Sequence, residues 1–173
     1  MQLYVWDGTM TQKYAADIKL ATADDFQNTT AWQTHWTTPA IAAMPNKVAL
    51  HRTETGELLG LMSYDLDRNG LAVEIIYMES AGHSNANLLH RKGEQKKYIG
   101  IARALFAYAV KISLDAGFGG VVFFRAKTTE LRQYYMKEFG AVPLGQYDPF
   151  RLILWEDDAM KLLLSYEEAA ENG

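Results

Sequence analysis

The chain has 173 residues, 49% hydrophobic and 22% charged, a balance that suits one globular domain with a substantial core. Its net charge of −4 gives the molecule as a whole no electrostatic case for binding nucleic acid, so no nucleic-acid partner is expected. Cysteine is absent, which excludes disulfides, thiolate nucleophiles and cysteine-based metal sites; His35, His51, His83 and His90 lack metal-ligand spacing, so no metal is expected either.

The N-terminus, Met-Gln-Leu-Tyr-Val-Trp-Asp-Gly, shows no basic region ahead of an apolar core, and no apolar run approaches membrane-spanning length. A cytoplasmic protein with no membrane partner is the expectation. Residues 1–45 are the least legible stretch. Within them, residues 23–36 are expected to form a helix starting near Thr22 or Ala23, which sets Trp32 and Trp36 on one face at an i, i+4 interval.

Residues 47–52 alternate and read as a strand, followed by the turn Thr-Glu-Thr-Gly-Glu. Residues 58–66 read as a second strand and residues 71–79 as a third, joined through Asn69-Gly70, a pair that favours a tight hairpin. Residues 46–79 thus look like an antiparallel meander. After a loop, a helical pattern runs through Ala102, Leu105, Phe106, Ala109, Ile112, Ser113 and Ala116. Residues 119–125 read as a buried strand. Residues 128–139 read as a helix with a Thr cap, Glu130 in the first turn and Gly140 at its end. A late strand over 150–155 and a C-terminal helix over 157–170 complete an α/β (α+β) order.

The most informative stretch is Gln-Lys-Lys-Tyr-Ile-Gly-Ile-Ala-Arg, residues 95–103. The helix that follows lacks a Ser, Thr, Asp or Asn cap. Gly100 and Ala102 sit there instead, with side chains too small to occupy the first amides or to block an approaching group. Those amides, the positive end of the helix dipole and Lys96, Lys97 and Arg103 make a seat for an anion. Residues 91–103 carry Arg91, Lys92, Lys96, Lys97 and Arg103 against the single acid Glu94, a local positive patch that suits a small polyanionic ligand. A solvated basic loop leading into a core helix is the alternative reading.

Lys97-Tyr98-Ile99-Gly100-Ile101-Ala102 resembles the pyrophosphate-loop signature of the GNAT superfamily of acyl-CoA-dependent N-acyltransferases, in which Arg or Gln is followed by two residues, Gly, one residue, then Gly or Ala. Lys97 stands where that pattern has Arg or Gln. Downstream, Gly117-Phe118-Gly119-Gly120-Val121, Phe124-Arg125-Ala126-Lys127-Thr128, Tyr135 and Phe139-Gly140-Ala141 are similar to a bacterial branch of the superfamily, as are Tyr77-Met78-Glu79-Ser80-Ala81 and Asn85 upstream. The resemblance covers residues 46–145 well and 1–45, an acceptor-side segment, only loosely. It implies one domain over residues 1–173 with a GNAT-type mixed, mostly antiparallel central sheet flanked by helices. Two departures stand out: the loop over 81–95 is longer than in most of the superfamily, and the common tyrosine position four residues before the glycine is here Met136.

The resemblance further implies acetyl transfer from acetyl-CoA to a primary amine, borne by a small molecule or a protein, with the oligomeric state (monomer or homodimer) left open. Met78, Glu79 and Ser80 would present backbone to the pantetheine arm. Lys97, Tyr98, Ile99, Gly100, Ile101, Ala102 and Arg103 would hold the pyrophosphate, with Thr128 and Thr129 as further cofactor contacts or as helix-capping residues alone. Glu74 and Glu79 are the candidate bases; five apart, they face opposite sides of a regular strand unless a bulge brings them together. Tyr135, on the stripe Leu131, Tyr135, Phe139, is the candidate acid for the thiolate, with Tyr134 the weaker choice and a core tyrosine the alternative. A GNAT-fold module that binds CoA or a partner without turnover is the runner-up.

Overall fold

A computed structural model describes residues 1–171, apart from the side chain of Arg91; that member of the expected basic patch lies outside the described residues. Nine strands form one mostly antiparallel sheet in the order β6-β1-β2-β3-β4-β5-β7-β9-β8. The chain divides into two compact units, Met1–Ser63 with Tyr77–Leu105 and the end from Ala170, and Tyr64–Ile76 with Phe106–Ala169.

The first unit opens with a hairpin that the sequence reading did not anticipate. β1 (Leu3–Asp7) pairs antiparallel with β2 (Lys13–Leu20), and the Asp7 carboxylate closes the turn by accepting from the Thr11 and Gln12 amides. The helix expected over 23–36 is much shorter. α1 spans Ala23–Gln27, started by a capping box in which the Thr22 hydroxyl and the Asp25 carboxylate satisfy each other's backbone amides. It ends before Thr29 and Thr30, poor residues for propagating a helix; the Trp32 amide makes only a turn bond to the Thr29 carbonyl, and the Trp36 indole reaches across to Glu79. A short α2 (Pro39–Ala42) follows. β3 (Lys47–Arg52) occupies the span read from the sequence and pairs with β2 and with β4 (Leu58–Asp67).

β4 and β5 (Ala72–Ser80) fall close to the expected strands, but their connection is not a two-residue turn. The Asp67 carboxylate accepts from the Asn69 and Gly70 amides, and the positive φ falls on Leu71. The core of this unit gathers Trp32, Trp36, Ile41, Ala49, Leu61 and Ala81, with Phe26 stacked on Trp36. Residues 81–95, read as a long loop, hold a 3-10 turn at Gly82–Ser84 and α3 (Ala86–Lys92), which Asn85 caps and Gly93 ends in the left-handed region. Then β6 (Tyr98–Ile99) pairs with β1 and leads into α4 (Ile101–Asp115).

In the second unit β5 and β7 (Val122–Arg125) run parallel, so a crossover containing α4 must join them. α5 (Thr129–Phe139) has the expected Thr128 cap and ends at Gly140 with φ +76°. β8 (Val142–Pro143) is an addition to the expected order, and β9 (Arg151–Leu154) joins β7 and β8 antiparallel before α6 (Glu156–Glu171). Phe106, Phe124, Tyr135 and Phe139 form an aromatic core with ring centroids 4.8–5.6 Å apart. Among the described residues, no helix is long and apolar enough to cross a membrane.

Candidate functional site

The turn from β6 into α4 is where backbone conformation and ligand chemistry coincide. Gly100 adopts φ +93°, a region that L side chains rarely enter, and, chain neighbours aside, nothing lies within 4 Å of where its Cβ would be. The first helical bond closes from the Ala104 amide to the Gly100 carbonyl at 2.9 Å. The Ile101 and Ala102 amides precede that ladder and belong to the end where the helix dipole is positive. A glycine free to adopt this conformation, open space beside it and helix-end amides together fit an anionic group such as a phosphate.

The cradle is shorter than the sequence suggested. The Lys97 amide donates to the His83 carbonyl at 2.8 Å and the Tyr98 amide to the Ser84 hydroxyl at 2.9 Å, so neither is available to a ligand. The Lys97 ammonium bonds to the Glu57 carboxylate, which raises the lysine pKa, and the Tyr98 hydroxyl donates to the other oxygen of Glu57 at 2.7 Å. Ile99, Gly100, Ile101, Ala102 and Arg103 follow in the same unit. A second glycine brings α4 down onto the strands. A Cβ on Gly60 would lie 2.9 Å from Ile101 Cγ2 and 3.1 Å from the Glu79 carbonyl oxygen, so only glycine lets the start of α4 approach the end of β5 this closely.

At that strand end the Ala81 amide donates to the Leu59 carbonyl at 2.8 Å, and Met78 and Ser80 are half-buried. Glu79 is 4% exposed and its carboxylate is heavily engaged. It accepts from the Gln33 amide at 2.7 Å, the Thr34 amide at 3.0 Å, the Trp36 indole at 3.4 Å and the Asn85 side-chain amide at 3.5 Å. These bonds make Glu79 the tie that holds residues 33–36 against β5. Glu74 is half-buried in the second unit, where the register from Val73 to Ile75 against β7 is unbroken, so the bulge invoked to align it with Glu79 is not in that stretch.

Thr128, Thr129 and Tyr135 also belong to the second unit. The Thr128 hydroxyl accepts from the Leu131 amide at 3.2 Å, a capping bond, and Thr129 is the first residue of α5. Tyr135 is 6% exposed among Phe106, Phe124, Tyr134 and Phe139, and burial pushes its phenol well above the usual range, with the Tyr134 hydroxyl adding to the shift. It therefore stays protonated at neutral pH. The residues that sequence reasoning missed are Gly8, Glu57, His83 and Ser84, all of which grip the approach to the cradle. A Cβ on Gly8 would lie 2.1 Å from the Lys96 carbonyl oxygen, a contact between segments that no local pattern announces.

No family model matches the sequence, and no curated protein matches it. Solved structures do match. The KacTA–DNA complex aligns over 87% of this chain and 99% of its own with a TM-score of 0.56 at 15% identity. AtaTR bound with acetyl-CoA aligns over 85% and 97% at TM-score 0.56 and 16% identity, and AtaT complexed with acetyl-methionyl-tRNAfMet over 86% and 99% at TM-score 0.56 and 16% identity. The chain has the GNAT fold that these toxins share. They also correct one expectation. Nucleic acid was excluded on net charge, yet proteins of this fold are found with DNA and with a tRNA. Net charge sums over the whole surface, whereas recognition depends on local groups, so a total of −4 excludes nothing.

Proposed function

We propose that the chain is an acetyl-CoA-dependent N-acetyltransferase acting on a primary amine. The observation that carries this reading is Gly100, held at φ +93° beside open space at the start of a long helix in a GNAT fold. The likeness to AtaTR bound with acetyl-CoA supports the same cosubstrate. In this proposal Gly100, Ile101, Ala102 and Arg103 hold the pyrophosphate, and the backbone of Met78, Glu79 and Ser80 runs beside the pantetheine arm. Acetyl-CoA supplies an acyl group activated as a thioester. The protein must then take a proton from the amine and return one to the departing sulfur.

Glu74 and Glu79 remain the proposed bases, and Glu74 is favoured because its half-buried carboxylate is not tied by the four donors that hold Glu79. Tyr135 is the proposed acid; its raised pKa keeps the proton in place at neutral pH but makes its transfer less favourable. The acceptor class widens to small-molecule amines, protein amines and the α-amine of an aminoacyl-tRNA, the last because AtaT is found with acetyl-methionyl-tRNAfMet. Residues 1–173 are taken as one catalytic domain, and a cytoplasmic setting, where acetyl-CoA is supplied, goes with this reading.

The test is acetyl-CoA consumption by the wild type against a panel of polyamines, lysine peptides and aminoacylated tRNA, with mass analysis of each product. A Gly100→Asp control should be inactive. Binding of acetyl-CoA with no product from any acceptor would instead favour a CoA-binding module without turnover.

A further inference from the structure

Within the first unit, six side chains from four separate segments converge on the entry to the cradle. Glu57, at the foot of β4, accepts from Lys97 through one oxygen and from the Tyr98 hydroxyl through the other at 2.7 Å. His83 Nε2 stands 3.4 Å from the same Glu57 oxygen that Lys97 uses, and the ring lies edge-on to Tyr98. Arg52 donates to the Tyr98 hydroxyl at 3.2 Å while its guanidinium stacks 3.9 Å from the centre of the Tyr14 ring. The main chain is gripped at the same residues: Lys97 by His83, Tyr98 by Ser84 and by pairing with Asp7, and Lys96 by the close approach of Gly8.

The structure assigns to Glu57 the role of a positioning residue: it clamps Lys97 and Tyr98 so that Gly100 and the first turn of α4 are held ready for a pyrophosphate, and it makes Lys97 a strut rather than a phosphate ligand. This rests on the cradle reading of Gly100. Three features separate the arrangement from an ordinary surface ion pair. The Glu57 side chain is only 26% exposed, both its oxygens are engaged, and its partners are consecutive residues that end two positions before Gly100 with its positive φ. Burial works against the Glu57 charge, yet the bonds from Lys97 and Tyr98 outweigh it and hold the carboxyl below its ordinary value. One N–H of the Lys97 ammonium is committed to Glu57 before a ligand arrives. The lysine's place in the signature then reflects the need to fix the loop, and the charge of a bound phosphate is met by helix-end amides.

The experiment compares wild type, Glu57→Gln, Lys97→Met and the double variant, using CoA as the probe in calorimetric titration and hydrogen exchange of residues 96–103 in the free proteins. Glu57→Gln should weaken CoA binding about tenfold, as loss of a charge-assisted bond implies, and should speed exchange across the turn. Lys97→Met should weaken CoA in the wild-type background and add little in the Glu57→Gln background, because the two groups act as one unit. Equal losses from Lys97→Met in both backgrounds would make Lys97 a direct phosphate ligand and overturn the assignment. So would unchanged exchange and affinity in Glu57→Gln, or a lower melting temperature with CoA affinity intact, the mark of a merely structural residue. Tyr98→Phe, which keeps the ring and removes one bond, gives the same reading in smaller measure should Glu57→Gln fold poorly. A wild type that does not bind CoA would sink the acetyltransferase reading. The exchange data would then decide the clamp alone: faster exchange in Glu57→Gln sustains it, and unchanged exchange ends it.

Discussion

Gly100→Ala separates the conformational demand at the cradle from the ligand that the demand serves. At φ +93° a Cβ costs about 1–2 kcal/mol, the usual penalty for an L residue forced into the left-handed region. No clash adds to this, because the space around that Cβ is open to 4 Å. In a chain of 173 residues each kcal/mol lowers the melting temperature by about 2–4 °C, so the free variant should melt about 2–8 °C early. CoA at a hundredfold excess over its Kd should stabilise the wild type by about 2.7 kcal/mol, a rise of about 5–11 °C. If the new methyl weakens CoA tenfold, the same concentration yields about 1.4 kcal/mol and roughly half that rise. Gly100→Asp should abolish it by setting a carboxylate against the pyrophosphate. Gly117 supplies the control: it adopts φ +80°, with nothing within 4 Å of its own Cβ position, beyond the other end of α4. Gly117→Ala should lose similar stability yet keep the full CoA shift. Differential scanning fluorimetry with and without CoA reads all four proteins, and a Gly100→Ala protein that keeps the wild-type shift would refute the placement of the cradle.

Glu79→Gln removes a charged acceptor from the Gln33 and Thr34 amides, and bonds to charged groups contribute about 1.5–3 kcal/mol each, so urea unfolding should show a loss of at least about 2 kcal/mol. Full stability with abolished turnover would instead mark Glu79 as the base. Tyr135→Phe keeps the aromatic packing and should lower kcat on the order of 10²-fold with CoA affinity unchanged, whereas nearly full activity would leave it a core residue. Stability should also fall on acidification in two stages. Burial lowers the His83 pKa below its ordinary 6.5 against the pull of Glu57, with Lys97 also opposing its charge, so the unfolded chain takes up that proton first and stability declines as pH drops below about 6.5. Glu57 and Asp25 are held below their ordinary values, so their contribution is intact near neutrality and is lost as pH falls through and below about 4. Thermal melts from pH 8 to 3 test both stages, and His83→Gln should flatten the first.

What the sequence made legible was local, and what it hid was the set of contacts made across distance. α5 was readable because Thr128, Glu130 and Gly140 write its start and its stop within a dozen residues. The start of α4 was readable because a capless helix start with a glycine is a local pattern that needs no knowledge of neighbours. β1 and β2 were not: Lys13–Leu20 shows only partial alternation, and its strand exists because both edges are paired. β6 has only two residues, Tyr and Ile, which favour a strand but are too short a run to be read as one; it is a strand because β1 offers a partner. The same division runs through the site. Glu79 was a candidate base on its resemblance to a strand-end glutamate of the family; its burial could not be read, because the partners that bury it lie 43 to 46 residues back, in Gln33, Thr34 and Trp36. Glu57 looked like a turn residue because Tyr98, 41 positions later, was invisible to it. Local chemistry therefore marks where the sequence offers free helix-end amides, while the fixing of that turn depends on polar partners brought in by the sheet. Those partners are the residues whose substitution should alter affinity without touching the ligand.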